Sequence, residues 1–76
     1  MFRVALLTSK EELYVGLANQ VILPTREGQL TILDFHQPIL SRLARGVVSV
    51  DDRWFFKVKD GVVKMTGLEL MGIVDV

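Results

Sequence analysis

Apolar and polar residues alternate along most of this chain, and a period of two is typical of β-strands that bury one face. The final run, residues 68–76, is apolar on both faces in places. Seven to ten short strands separated by turn residues favour a sandwich or a flattened barrel, in which the inner faces form the core. The alternating sets are Phe2, Val4 and Leu6; Leu13, Val15 and Leu17; Val21 and Leu23; Leu30 and Ile32; Val48 and Val50; Trp54, Phe56 and Val58; Val63 and Met65.

The strongest local turn signal is Asp60 followed by Gly61, between apolar runs that end at Val58 and resume at Val62. Glycine accepts a positive φ at a turn position without steric cost. This dipeptide therefore predicts a hairpin between two antiparallel strands.

Only residues 34–45 hint at a helix, because Ile39, Leu40 and Leu43 are spaced as on one helical face. Pro38 can start a turn and Gly46 can end one, and so short a helix is unstable by itself in water. We expect at most one or two helical turns here.

Half of the 76 residues are hydrophobic, and the glycines are spread along the chain without a linker or a repeat. We expect a single domain that covers residues 1–76. A domain near this size buries only about 60% of the surface that its unfolded chain exposes. Part of its apolar surface is therefore expected to lie against another subunit.

Nine Lys and Arg balance nine Asp and Glu. This balance argues against nucleic acid as the main partner, because nucleic-acid binding proteins neutralise many phosphates. With no cysteine and one histidine, the chain is predicted to have no disulfide and no bound metal. The N-terminal apolar run breaks at Lys10 before it reaches signal-peptide length, and no run reaches the ~18 apolar residues of a membrane span. We expect a soluble or peripheral protein without a secretion signal.

His36 is the one candidate for hydrolytic chemistry, with Asp34 two residues before it and Ser41 or Ser49 as the nucleophile. No Gly-x-Ser-x-Gly motif supports such a site. The alternative is a histidine that hydrogen-bonds within its own loop, and we expect no catalytic residue.

Two pairs of neighbouring carboxylates occur, Glu11 with Glu12 and Asp51 with Asp52. Adjacent strand residues point to opposite sides, so these pairs suit solvated turns better than shared acid-base catalysis. Glycine-rich phosphate loops are absent, and no cofactor is expected.

One part of the chain combines basic and aromatic side chains: Arg42, Arg45, Arg53, Trp54, Phe55 and Phe56. Such a combination is typical of small β-barrel modules that bind single-stranded nucleic acid, and a module for nucleic acid or another ligand is the alternative function. The competing interpretation places Trp54 and Phe56 in the core and Arg53 at the end of a strand.

Residues 21–33 read VILPTREGQLTIL, residues 36–41 read HQPILS and residues 46–48 read GVV. In this order and spacing they resemble the N-terminal β-sandwich domain of the F-type ATP synthase epsilon subunit. That family has a strand ending in Leu-Pro, an acidic-glycine turn, a strand ending near Leu-Pro-Gly-His-x-Pro, and a Gly-Val step into the next strand. Residues 6–8, 13–16, 56–63 and 73–75 extend the resemblance over nearly the whole chain.

The sequence also departs from the family pattern, chiefly in its loops. Asp34 and Phe35 replace the usual Pro-Gly, Thr31 replaces a common glycine, Lys59 and Asp60 replace Ser-Gly, and Gln29 occupies a position that is often acidic. The family normally continues into a C-terminal helical hairpin that inhibits ATP hydrolysis, whereas this sequence stops at Val76.

The resemblance implies a flattened β-sandwich of about ten short, mostly antiparallel strands at the foot of a rotating central stalk. The domain would be non-catalytic, would bind the gamma subunit through one sheet face and would touch the membrane c-ring through its lower turns. The enzyme would translocate protons or sodium ions at the cytoplasmic face of the bacterial inner membrane or, alternatively, at a plastid thylakoid membrane.

Carried over residue by residue, the resemblance implies two sets of contact residues. The ring-facing turns would be Glu27, Gly28, Gln29, His36, Gln37 and Pro38, and the residues on or near the gamma-facing side would be Thr8 and Ser41. Because Gln29 is polar but uncharged, we expect its ring contact to depend less on salt than that of an acidic residue.

Overall fold

The computed structural model describes residues 1–34 and 37–76, whose regular structure consists of nine β-strands. The strands are β1 (Phe2–Leu7), β2 (Glu12–Ala18), β3 (Gln20–Thr25), β4 (Gly28–Leu33), β5 (Ile39–Leu43), β6 (Gly46–Val50), β7 (Trp54–Val58), β8 (Asp60–Thr66) and β9 (Glu69–Asp75). The all-β fold predicted from the alternating pattern is confirmed.

The strands form two sheets that pack face to face as a β-sandwich. Sheet A has the strand order β2-β1-β9-β8-β5, and sheet B has the order β4-β3-β6-β7. Among the described strands, β1 and β9 form a parallel pair, and every other pair is antiparallel. The first and last strands therefore lie side by side inside sheet A, and β2, β5, β4 and β7 form the sheet edges.

The inward faces of both sheets supply one hydrophobic core. In β1, Phe2, Val4 and Leu6 are buried, as the alternation predicts. The other buried apolar residues are Ala18, Val21, Leu23, Ile32, Leu43, Val48, Val50, Val58, Val63, Met65, Leu70 and Val74. The predicted strand phase is thus correct for most of the chain.

The prediction that Leu13 shares a face with Val15 and Leu17 is wrong. The pairing of β1 with β2 shifts between Leu6 and Leu7, which lie opposite Tyr14 and Glu12, so Leu13 is the extra residue of a bulge. Leu13 packs against the core, whereas Val15 and Leu17 are exposed on the outside of sheet A.

The short helix expected within residues 34–45 is also wrong, because Ile39–Leu43 forms strand β5. Strand β5 pairs with β8 over its full length, with Ser41 opposite Val63 and Leu43 opposite Gly61. A three-residue helical spacing is a weak signal in so short a segment, and pairing with β8 overrides it.

The hairpin predicted at Asp60 and Gly61 does not form, because β7 belongs to sheet B and β8 to sheet A. The chain instead turns between β6 and β7 at Asp51 and Asp52, which have φ values of 53° and 52°. Aspartate tolerates this left-handed conformation better than most residues. Another hairpin joins β8 to β9 through Gly67, which has a φ of 57°.

Gly72 of β9 lies between Leu6 of β1 and Val63 of β8 within sheet A. A Cβ atom at this position would lie 2.9 Å from both Leu6 Cδ2 and Val63 Cγ1. The side chains of β1 and β8 occupy this space, so the position excludes any larger residue without a shift of the core.

Candidate interaction surfaces

The outer face of sheet A carries several exposed apolar side chains. We call it the sheet A face and define it by Val15, Leu17, Leu40, Val62, Met71 and Ile73, all of them exposed. Leu40 is 74% exposed and Ile73 is 61% exposed.

The strand register brings these side chains into neighbouring rows. Ala5 of β1 lies between Val15 and Met71, and Ile73 lies opposite Val62. All five strands of sheet A therefore contribute to this surface, in which Lys64 lies between Leu40 and Met71. Apolar side chains that cluster in this way are typical of a protein-interaction site. The sequence signal for the sheet A face is the final run, residues 68–76, which is apolar on both faces in places. Met71 and Ile73 of this run face outward from β9.

An ion pair borders the sheet A face at the β5 edge. Arg42 Nη2 lies 3.1 Å from Asp60 Oδ2, and Arg42 Nε lies 3.4 Å from Asp60 Oδ1. The backbone N–H of Gly61 also donates to Asp60 Oδ1 at 2.8 Å. The hydrogen bond from Arg42, followed by that from Gly61, holds the pKa of Asp60 below its ordinary value. The hydrogen bond to Asp60 in turn raises the pKa of Arg42.

The Asp60 and Gly61 dipeptide, although not a hairpin turn, thus has a structural role. Its carboxylate joins the edge strand β5 to the start of β8. Both charged side chains remain largely exposed, so the pair stabilises the edge only modestly.

Three of the predicted ring-facing residues lie in the turn between β3 and β4 and at the start of β4. The Thr25 hydroxyl donates to the Gly28 carbonyl at 2.6 Å and accepts the Glu27 N–H at 3.3 Å. Gly28 has a φ of 117°, which glycine adopts readily and other residues do not. Glu27, Gly28 and Gln29 are all exposed, so this turn presents polar groups to a partner.

Gln37 and Pro38 are exposed and follow the opposite end of β4, and His36 lies outside the described residues. Glu27 lines the same surface groove as Leu40, which follows Pro38 by two residues. The turn between β3 and β4 therefore lies near the start of β5, the strand that Gln37 and Pro38 precede.

Thr8 and Ser41, the predicted gamma-facing residues, both lie outside the sheet A face. Thr8 follows β1, and its Oγ1 accepts the N–H groups of Lys10 at 3.1 Å and Glu11 at 3.0 Å. Ser41 is half-buried opposite Val63 on the inward side of β5. Thr8 borders the apolar surface, whereas Ser41 lies beneath its β5 edge.

The hydrolytic site considered from the sequence centres on His36, which lies outside the described residues. The carboxylate of Asp34 pairs with the amino group of Met1 at 2.5 Å. Ser49 lies in sheet B and Ser41 in sheet A, so the two candidate nucleophiles do not share a site. Within residues 1–34 and 37–76, no three His, Cys, Asp or Glu side chains come together as a metal site.

The expectation that Trp54 belongs to the core is wrong, because its side chain is 47% exposed. Tyr14 lies between the sheets at their open edge, with ring centroids 6.3 Å from Trp54 and 6.5 Å from Phe56. The guanidinium of Arg53 lies 5.7 Å from the Trp54 ring centroid. Phe56 does pack against the core, as expected.

Among the described residues, no helix has the length and the apolar character that crossing a membrane requires.

The fold and its exposed faces define a small two-sheet β-sandwich domain. The sequence model of the family described as "ATP synthase, Delta/Epsilon chain, beta-sandwich domain" matches residues 1–73, and the chain belongs to this family. The resemblance inferred from residues 21–50 is thereby confirmed.

Two curated bacterial relatives have similar sequences. The ATP synthase epsilon chain 2 of Ralstonia nicotianae is 35% identical over 79 residues, which cover 99% of this chain and 57% of that protein. The ATP synthase epsilon chain of Halorhodospira halophila is 31% identical over 68 residues, which cover 83% of this chain and 48% of that protein. The chain thus spans about half the length of the curated relatives it matches.

A solved structure shares the fold. A chain in the central stalk/c-ring structure of the mitochondrial ATP synthase of Tetrahymena thermophila superposes with a TM-score of 0.81 at 20% identity. The match covers 97% of this chain and 63% of that chain.

Proposed function

We propose that this chain is a non-catalytic rotor component of an F-type ATP synthase that couples the gamma subunit to the membrane c-ring. Membership of the delta/epsilon β-sandwich family supports this role, and the central-stalk origin of the fold relative is consistent with it. The observation that carries the proposal is the sheet A face, where exposed apolar side chains cluster as they do at protein-interaction sites.

The gamma subunit is the proposed occupant of the sheet A face. Exposed aliphatic side chains on adjacent strands can be desolvated together, and a flat sheet gives a stiff surface against which torque can be transmitted. In this arrangement the residues of the sheet A face contact gamma, and Thr8 lies at the border of the contact.

The c-ring is the proposed partner of the turns on either side of β4. Glu27, Gly28 and Gln29 lie at one end of this edge strand, and Gln37 and Pro38 follow the other end. Glu27 nevertheless shares a groove with Leu40, two residues after Pro38. We therefore propose that the β3–β4 turn and the segment before β5 together face the ring.

The chain would act in a membrane-associated complex without spanning the membrane itself. Its curated relatives are bacterial, which supports the cytoplasmic face of a bacterial inner membrane over a plastid thylakoid. In this role it would need no cofactor and catalyse no reaction alone, since a rotor contact requires rigidity instead of reactivity.

Co-purification with the gamma subunit of the same organism tests the gamma contact. We expect the parent chain to bind gamma. Ile73→Asp or Val62→Asp should abolish this binding, because each variant places a carboxylate within the sheet A face. Val47→Asp is the matched control, since Val47 is exposed on the opposite sheet. Equal loss of binding for Val47→Asp and Ile73→Asp would contradict the assignment.

Cysteine crosslinking tests the ring contact. Because the sequence contains no cysteine, each replacement introduces a single thiol at a known position. We expect Glu27→Cys and Gln37→Cys to crosslink to the polar loop of the c subunit in assembled complexes. Lys57→Cys, on strand β7 at the other edge of sheet B, should not. Crosslinking by Glu27→Cys alone would mean that the segment before β5 does not face the ring.

A further inference from the structure

Strand β7 forms an edge of sheet B that the proposed stalk contacts do not use. Within the described residues it pairs with β6 on one side and with no strand on the other. One row of its backbone N–H and C=O groups is therefore open to pairing with another strand. The proposed gamma contact lies on sheet A, and the proposed ring contact lies at the β3–β4 turn and the segment before β5.

The aromatic side chains of β7 favour contact with another strand. Phe55 is 62% exposed on the outer face of sheet B, where it lies opposite Ser49 of β6. Trp54 is nearly half exposed on the other side of the strand, next to Tyr14. Large exposed aromatic side chains promote cross-strand contact, whereas lysines on a sheet edge discourage pairing with a strand that does not carry the opposite charge.

Positive charge is concentrated along the same edge. Arg53, Lys57 and Lys59 fall within residues 53–59, which contain no Asp or Glu. Lys57, Lys59 and Arg45 surround an apolar groove of about 340 Å³. In the part of the chain that the structure describes, neither ion pair involves these four cations. These cations remain available to an acidic partner.

We propose that the β7 edge is a strand-addition site for an extended acidic segment of a partner protein. The added strand continues sheet B beside β7 and places an apolar side chain against Phe55 and carboxylates beside Lys57 and Lys59. Backbone hydrogen bonds provide sequence-independent affinity, and the alternating side chains provide the preference for acidic sequences. The site goes beyond the proposed rotor role and leaves the sheet A face available.

The first test uses a short, end-capped fluorescent peptide that alternates valine and glutamate, titrated into the full chain by fluorescence anisotropy. A valine–lysine peptide of equal length is the control. We expect saturable binding of the acidic peptide alone, with the largest amide NMR shift changes in β7. Equal binding of both peptides, or shift changes confined to the sheet A face, overturns the proposal.

Charge-reversal variants provide a second test. The double variant Lys57→Glu/Lys59→Glu should weaken binding of the acidic peptide about tenfold. The control Lys10→Glu/Lys64→Glu makes the same change in net charge elsewhere and should leave binding within about twofold, since both lysines are exposed away from β7. Equal weakening by both double variants would show that overall charge, and not the β7 edge, determines peptide binding. That result would overturn the proposal.

Phe55→Ser keeps the proposal testable if the charge-reversal variant fails to fold. It should weaken peptide binding while thermal melting stays cooperative, because Phe55 is exposed and contributes little to the core. Sedimentation without peptide tests a second copy of the chain as the occupant. Dimerisation that Phe55→Ser removes would assign the edge to self-association and overturn the acidic partner.

Discussion

The carboxylate of Asp51 accepts the backbone N–H of Gln20 at 2.9 Å, and the N–H of Asp51 donates back to the carbonyl of Gln20 at 3.0 Å. The same Oδ1 accepts the N–H of Asn19 at 2.8 Å. These bonds join the β6–β7 turn to the point where the chain crosses from sheet A to sheet B. Asp51 is therefore a partly buried structural residue, and the expectation of a solvated turn residue holds only for the exposed Asp52.

Replacing Asp51 should destabilise the sandwich more than replacing its neighbour. Asp51→Ala and Asp52→Ala both place alanine at a positive φ, but only Asp51→Ala removes two charge-assisted hydrogen bonds to backbone N–H groups. We expect Asp51→Ala to lower the free energy of unfolding by about 2 kcal/mol more than Asp52→Ala. Urea denaturation measures the difference, and equal losses would show that the hydrogen bonds contribute nothing.

Gly72→Ala should strain the core, because the new Cβ would overlap with Leu6 and Val63. Overpacking of this kind costs about 1 to 3 kcal/mol. Combining it with Val63→Ala should recover part of the loss, since the smaller side chain makes room for the methyl group. Strictly additive losses in a double-mutant cycle would argue against steric overlap.

Ser49→Ala should be neutral or stabilising by up to about 1 kcal/mol. Ser49 is only 8% exposed, and within the described residues its Oγ has no hydrogen-bond partner. The opposite sign is expected for Thr25→Ala, which removes the bond to the Gly28 carbonyl. A clear loss of stability in Ser49→Ala, measured by thermal and urea unfolding, would indicate a partner for this hydroxyl.

Folding stability should fall in acid partly because of Asp60. The pKa of Asp60 is lower in the folded chain than in the unfolded chain, first through its hydrogen bond from Arg42. Its contribution is therefore complete above the unfolded pKa and is lost as the pH falls through the folded value, below about pH 4. Arg42→Gln should make the acid decline of the melting temperature shallower. An unchanged pH profile would mean that the exposed pair contributes no measurable stability.

Gln29→Glu should make association with the c-ring more dependent on salt, because it replaces a neutral contact of the exposed turn by a charged one. Binding to ring-containing membranes, measured over a series of salt concentrations, tests this. Ser9→Glu adds the same charge in the exposed turn between β1 and β2 and should leave the salt dependence close to that of the parent. Identical salt dependence for parent and Gln29→Glu would show that residue 29 does not contact the ring.

The sequence alone determined the fold class, the phase of most strands and the family. Alternation identified Phe2, Val4, Leu6, Val21 and Ile32 as core residues because a strand next to a core buries every second side chain. Ordered loop motifs were enough to identify the family, since turn residues at fixed spacing are set by local backbone geometry.

Only the tertiary structure decided which strands pair and which apolar rows stay outside. Residues near Asp60 and Gly61 have the local pattern of a hairpin, yet β7 and β8 enter different sheets because their partners are distant in sequence. Val15 and Val63 both alternate correctly, but one faces solvent and the other faces the core. Period-two alternation distinguishes two faces of a strand, and the packing of the second sheet decides which of them is buried.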